Sequence, residues 1–255
     1  MQFIDTHTHL YLPEFDKDRD EAVNRAIESG VIKMLLPNID INSVDQMLSA
    51  ANSYPGICYP MIGLHPTSVK EDYLSQLDKL ETLFTKHNFI AIGEIGIDLY
   101  WDKTFLKEQL TALRRQIVFA IDKGLPVVIH SRESFPDVFS VLDEFEGKGL
   151  KGVFHAFTGK LNDAERAIRM GLKLGIGGVV TFKNSGLDKV VQNIGPENLI
   201  LETDSPYLAP VPYRGKRNES SYIRIINKKL AEIFGISEEE VASITYENST
   251  GLFKL

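Results

Sequence analysis

Short apolar runs alternate along the whole chain with longer amphipathic stretches. The runs predict strands near 3–9, 32–38, 57–64, 89–96, 126–131, 151–157, 173–180 and 198–204. The stretches between them carry a helical period and predict helices near 16–29, 41–52, 74–87, 104–123, 135–146, 161–171 and 185–193, with two more near 221–234 and 237–253. Strands alternating with helices of this length imply βαβ units with right-handed crossovers and a parallel sheet. Eight such units fit an α/β protein built as one closed (β/α)8 TIM barrel, a single domain over residues 1–255. The competing open, doubly wound sheet needs a glycine-rich phosphate turn after its first strand. Here that strand runs into His7-Thr8-His9-Leu10 instead, which favours the barrel. Residues 205–220, SPYLAPVPYRGKRNES, form the one long irregular segment, and their prolines and basic cluster predict a loop at the barrel mouth.

A barrel gathers the C-terminal ends of its strands at one mouth, and that is where this chain keeps its metal-binding residue types. His7 and His9 follow the first apolar run, Glu94 ends FIAIGE, His130 ends LPVVIH, His155 ends KGVFH and Asp204 ends LILETD. His7 and His9 are two apart, so strand alternation points both to one face, with Asp5 one step deeper on that face. A lone His-x-His can equally be a pair of hydrogen-bonded core imidazoles. Four histidines at strand ends argue otherwise, because each buried ring needs partners and coordination satisfies them together. Glu94 and Asp204 read alternatively as helix caps, a reading that is weak for Glu94 because GIDLYWD precedes the next helix. A carboxylate in such a cluster can bridge two divalent ions or orient a water. Two carboxylates against two dications leave a positive excess, which suits an anionic substrate such as a phosphodiester.

Composition narrows the classes. A single cysteine, Cys58, precludes an internal disulfide and points to a reducing compartment. No basic-then-apolar leader and no run near the roughly 20 residues of a membrane span are present, so the expectation is a soluble cytoplasmic protein with no membrane and no obligate protein partner. A formal net charge of -7 argues against a broad basic face for coating nucleic acid, though a local basic patch at a metal site remains compatible with it.

The chain resembles the TatD family of metal-dependent deoxyribonucleases, within the amidohydrolase-like hydrolases. The resemblance runs nearly end to end through FIDTHTHL at 3–10, IGLHPTSV at 62–69, AIGEIGIDLYW at 91–101, PVVIHSR at 126–132, GVFHAFTG at 152–159, LGIGGVVTF at 174–182, LETDSPYLAP at 201–210 and RGKRNES at 214–220. It implies a (β/α)8 barrel that hydrolyses DNA phosphodiesters with divalent metal, some members acting as 3′–5′ exonucleases. The family's ligand positions fall on His7, His9, Glu94, His130, His155 and Asp204, with Glu94 bridging. Glu219-Ser220 stands where Glu-Pro is common, and Ser220 is expected to cap the following helix. The expected arrangement is two divalent ions, one on His7, His9, Glu94 and Asp204, the other sharing Glu94 with His130 and His155. Asp204 and Glu94 are the catalytic candidates, Asp204 orienting the attacking water or taking its proton. Imidazole ligands favour zinc, manganese, cobalt or nickel, whereas the resemblance implies magnesium- or manganese-supported activity.

Seven further residues are candidate substrate contacts. His65 ends GLHP at the mouth, and Arg132 is two residues past His130 and suited to a phosphate oxygen. Tyr100 and Trp101 can stack unpaired bases. Arg214, Lys216 and Arg217 are the densest basic cluster, and their alternative is a solvated surface loop. Together these predict single-stranded DNA ends as substrate. The competing readings are an ester or amide hydrolase on the same scaffold, such as an aminoacyl-tRNA deacylase, and a non-catalytic metal-binding scaffold.

Overall fold

The computed structural model covers residues 1–255. Its strands are β1 (Phe3–Asp5), β2 (Val31–Pro37), β3 (Cys58–Met61), β4 (Ile92–Asp98), β5 (Val127–Arg132), β6 (Gly152–Phe154), β7 (Leu172–Ile176) and β8 (Leu199–Leu201). The helices are α1 (Arg19–Glu28), α2 (Val44–Ser53), α3 (Tyr73–Phe84), α4 (Leu106–Lys123), α5 (Phe135–Leu142), α6 (Leu161–Arg169), α7 (Leu187–Ile194), α8 (Ile223–Phe234) and α9 (Glu238–Phe253). All pairings are parallel and run in chain order, β1 to β3 and β4 to β8. Backbone hydrogen bonds cross both remaining seams. Gly93 N donates to Ile62 O at 2.9 Å between β3 and β4, and Asp204 N donates to His7 O at 2.9 Å between β8 and β1. The fold is a (β/α)8 barrel.

Alternation along each strand divides the apolar residues into two layers. One set, with 54 buried members including Phe3, Leu36, Ile129, Phe154, Leu174 and Leu201, packs between strands and helices. The other fills the barrel, with Ile4, Leu35, Met61, Ala91, Val128, Val153 and Ile200 meeting Phe253 of α9 at the bottom. The inner position of β7 is Lys173, cross-strand partner of Val153. Its Nζ donates to Glu197 O at 2.6 Å. The floor of the barrel is thus closed by α9 and its ceiling is polar.

Three local departures from the sequence reading matter. β4 starts later and runs on to Asp98, so Glu94, Gly96 and Asp98 share one face. Gly96 has φ 150° and its absent Cβ would meet His130 O at 1.9 Å, so only glycine lets β4 and β5 pair there. Asp5 does not share the histidine face: it lies opposite Ile4 in the alternation and accepts from Thr203 N at 2.9 Å and Thr203 Oγ1 at 2.6 Å. The run 173–180 ends as a strand at Ile176, and Gly178–Thr181 is a 3-10 helix.

The loop 205–220 covers the mouth and is tied down by Asn218. Its Nδ2 donates to Thr203 O at 2.8 Å and Tyr207 O at 2.7 Å, and the residue is fully buried. Glu219 is gripped by Arg25 of α1, Nη2 to Oε2 at 2.7 Å. α8 then begins with no side-chain cap, so Ser220 does not play the capping part expected of it. Asn218→Ala strands the buried Thr203 carbonyl and the part-buried Tyr207 carbonyl and should cost about 2 kcal/mol, a fall in Tm of about 4 °C or more by calorimetry. An unchanged Tm would show that the loop is held elsewhere.

Candidate metal centre

Glu94 is the centre of the mouth. It is buried, and its two oxygens lie 3.1 Å from His7 Nε2, 3.9 Å from His9 Nε2, 3.4 Å from His65 Nε2, 2.8 Å from His130 Nδ1 and 3.9 Å from His155 Nε2. Asp204 closes the other side, with Oδ1 at 3.8, 3.6 and 3.6 Å from Nε2 of His7, His9 and His155. The donor atoms fall into three overlapping trios: His7–His9–Glu94, His7–His155–Asp204 and His65–Glu94–His130. The six expected ligands therefore converge, and His65 joins them. The chain that positions Asp204 is tight, with φ at 57° just past β8.

Ring orientation follows from the outer nitrogen of each imidazole. Tyr11 Oη donates to Pro37 O at 2.8 Å, so at 3.1 Å it accepts from His9 Nδ1, leaving the His9 Nε2 lone pair for the centre. His155 Nδ1 stands 3.0 Å from Glu202 Oε1, out of line for a well-formed hydrogen bond, yet close enough for that carboxylate to fix the ring. His7 Nδ1 is buried without a partner, so all of that ring's polar bonding passes through Nε2. His65 differs. Thr67 N donates to its Nδ1 at 3.2 Å, which puts the proton on Nε2, facing Glu94. In this arrangement His65 turns an N–H toward Glu94 Oε1 at 3.4 Å, and its Nδ1 also caps the turn at Pro66–Ser68.

Two buried acids at the centre were not singled out from sequence. Asp98 Oδ2 is 2.9 Å from His130 Nε2. Glu202 sits two residues before Asp204 on the inward face and fills the space above Gly175, where a Cβ would come within 2.2 Å of its Oε2. Both were legible as period-two neighbours, Asp98 four residues after Glu94 and Glu202 two after Ile200. They also revise the charge count. Four carboxylates, not two, surround the histidines, so two dications would leave the centre formally neutral rather than positive.

The donor set suits divalent metal. Ligand atoms about 2.1 Å from one ion stand about 3.0 Å apart at a right angle and about 3.4 Å apart in a tetrahedron. The Nε2 atoms of His7 and His9 stand 3.3 Å from each other and 3.1 to 3.9 Å from the oxygens of Glu94 and Asp204. His7 Nε2 and His9 Nε2 approach to 3.3 Å, a contact that needs a proton or a cation between two lone pairs. The histidines divide by protonation. Burial, then the neighbouring charge of His155, lowers His7 to about 4, so it is neutral, as a ligand must be. Burial opposes charge on His130 and His155. Asp98 and Glu94 outweigh it at His130, which rises to about 9, and Glu202, Glu94 and Asp204 outweigh it at His155, which rises to about 10. Burial would likewise raise Glu94 and Asp204, but the surrounding histidines hold both below the usual carboxylate range.

The centre opens into a cleft of about 920 Å³, lined in addition by Trp101, Arg132, Arg214 and Lys216. Arg217 is not there. Its guanidinium pairs with Asp18 on the far side of the loop, Nη2 to Oδ2 at 2.8 Å, and takes Glu14 O at 2.9 Å. The basic cluster therefore divides, two residues facing the cleft and one bracing the loop. Tyr100 stands at the rim, stacked on Arg132. Arg132 makes no ion pair.

A family model described as TatD related DNase matches residues 4–254. The chain is similar to the uncharacterized metal-dependent hydrolase YabD of Bacillus subtilis, 36% identical over 253 residues and covering 99% of each chain. It is similar to the protein named 3′-5′ ssDNA/RNA exonuclease TatD in Pantoea vagans, 32% identical over 258 residues and again 99% of each. The crystal structure of the TatD homologue YjjV from Escherichia coli superposes with a TM-score of 0.93 at 29% identity, covering 99% of this chain and 98% of that one. The chain belongs to the TatD family and is a metal-dependent hydrolase. No helix is long and apolar enough to cross a membrane.

The raised rings give a pH test. With folded values of about 9 and 10, His130 and His155 carry protons at pH 7 in the metal-free protein. A metal ion that takes them as ligands must displace those protons. Apparent affinity for Mn2+ should therefore climb as pH rises from 6 to 8, and calorimetry in buffers of different ionisation enthalpy should register about two protons released. A pH-independent affinity with no buffer dependence would remove both rings from the ligand set. Glu202→Gln should weaken Mn2+ binding about 10- to 100-fold, the range for loss of a group that orients a ligand.

Proposed function

We propose that this chain hydrolyses nucleic-acid phosphodiester bonds and removes nucleotides from single-stranded DNA ends in the 3′–5′ direction, using two divalent ions. The observation that carries this reading is the pairing of a histidine–carboxylate centre with Arg132, Arg214 and Lys216 in one cleft of a protein whose net charge is -7. Cations concentrated at one opening of an acidic protein select a local anionic ligand and do not coat a duplex. The names of the 30–32% identical relatives, 3′-5′ ssDNA/RNA exonuclease, support the same substrate class.

His7, His9, Glu94 and Asp204 would hold one ion, and Glu94, His130 and His155 the second. Bound there, such ions polarise a phosphoryl oxygen and acidify water; magnesium or manganese would support activity, while the imidazole-rich donor set also accepts zinc, nickel or cobalt. Asp204 is the acid of the centre most open to the cleft, 14% exposed against 3% for Glu94. It is placed to orient the attacking water and take its proton. Glu94, fixed by five histidines, is the bridging group. With the centre near neutral, the anionic strand is drawn in by the two arginines and the lysine.

Asp204→Asn should leave the barrel folded and lower kcat by about 10²-fold or more, the usual scale for a lost general base. Near-normal turnover with confirmed Mn2+ occupancy would take Asp204 out of the mechanism. Neutralising Arg214 and Lys216 should raise KM on single-stranded DNA and flatten its salt dependence, whereas Arg217→Gln should act on loop stability. Linear strands, a circular strand and aminoacyl-tRNA are to be compared side by side. Circular strands cut as fast as linear ones are trimmed would overturn the end-directed reading, and turnover of aminoacyl-tRNA alone would replace the nuclease by a deacylase.

A further inference from the structure

The loop after β4 carries an arrangement that the hydrolytic centre does not need for holding metal. Arg132 lies over the Tyr100 ring, Cζ to centroid 3.8 Å, and 5.4 Å from the Trp101 centroid. The two rings meet edge to face at 4.9 Å and 88°. Trp101 is 70% exposed and Tyr100 51%, while Trp101 and Arg132 both line the cleft. Nothing else in the chain covers the indole. A guanidinium on a ring face is a stable planar layer, and Arg132, free of any carboxylate partner, keeps its N–H groups available.

The backbone of this stack is hydrogen-bonded from below. Asp98, the β4 partner of Arg132, accepts from Tyr100 N at 3.0 Å and Trp101 N at 3.3 Å through Oδ1. Its other oxygen, Oδ2, contacts His130 Nε2 at 2.9 Å. Leu99 N donates to Arg132 O at 3.0 Å. The far end of the loop is pinned by Lys70 Nζ to Asp102 Oδ2 at 3.1 Å. A large apolar ring left in water on a backbone whose amides are held by Asp98 presents a face to a planar partner at reduced ordering cost.

We propose that Trp101, Tyr100 and Arg132 form a stacking subsite for the unpaired nucleobase next to the scissile phosphate, and that Asp98 is the positioning residue that fixes this subsite relative to His130. The proposal rests on the nucleic-acid reading above and adds to it the means by which the strand end is gripped. Base stacking on an aromatic face is tolerant of sequence, so the subsite recognises that a base is present and unpaired rather than which base it is.

Trp101 is the only tryptophan in the chain, so its fluorescence reports on this site alone. The metal-loaded protein, in its Asp204→Asn form to slow turnover, is titrated with short oligodeoxynucleotides that end in a nucleobase or in an abasic sugar. Quenching by the first and not the second is expected. In kinetics on the same strands with the native Asp204, KM for the abasic end should exceed that for the base end by about 10-fold, the scale of one base–aromatic stack. Trp101→Ala should collapse that ratio towards one, and Trp101→Phe should restore much of it. Asp98→Asn keeps an oxygen for the Tyr100 and Trp101 amides but loses the acceptor facing His130, so it should preserve the ratio while kcat falls. Asp98→Ala should lose both. Equal quenching by both strands, or a KM ratio unchanged in Trp101→Ala, overturns the subsite. If neither strand is hydrolysed by the native protein the nuclease reading falls instead, and the titration still decides whether Trp101 stacks a base.

Discussion

A buried carboxylate surrounded by imidazoles is the constraint on which the rest of the mouth depends. Glu94 has a nitrogen of five histidines within 3.9 Å. An ionised group at that depth is unfavourable by several kcal/mol unless it is matched by charge and hydrogen bonds. The chain meets this demand from strands far apart in sequence. The barrel alone makes that possible, because it brings the ends of β1, β4, β5, β6 and β8 to one point. Small residues then let the backbone close around the cluster. Gly96 permits β4 to lie against His130, and Gly175 leaves room for Glu202. These glycines serve the site as much as the fold.

Much of this was readable in the residue pattern. Strand and helix order, the barrel, the convergence of His7, His9, Glu94, His130, His155 and Asp204, and the role of 205–220 as a mouth loop all follow from periodicity and position. What failed to show has identifiable causes. Asp98 stayed hidden because the strand was read as ending at residue 96, whereas it continues through Ile97 to a terminal acid. Glu202 was masked by Asp204 beside it. Asp5 was placed on the wrong face because strict alternation was carried through to His7, yet β1 ends at Asp5 and the chain changes direction there. Arg217 looked equivalent to Arg214 and Lys216, since charge clusters in sequence say nothing about which side of a loop each side chain takes. Its long-range partner, Asp18, is 199 positions away.

The added acids change what the cleft must do electrostatically. With only Glu94 and Asp204 counted, two dications would themselves supply the attraction for a phosphate. With Asp98 and Glu202 included, the metal centre can be close to neutral, and attraction moves outward to Arg132, Arg214 and Lys216. That division has a kinetic consequence. Groups at an opening govern capture and its salt dependence, whereas charge at the buried centre governs the chemical step, where salt screens little. In a protein with a net charge of -7, Arg132, Arg214 and Lys216 set a local positive rim on the cleft that holds the centre.

Asp98 ties these two layers together physically. One of its oxygens faces a candidate ligand and the other holds the backbone of the exposed aromatic loop. Tyr100 and Trp101 are therefore linked to His130 through a single short, buried side chain. The alternation that puts Glu94, Gly96 and Asp98 on one face places a bridging acid, a close strand contact and a loop anchor in five consecutive residues. The aromatic loop at the rim and the acid at the centre are both carried by β4, so their relative geometry depends on β4 pairing with β5.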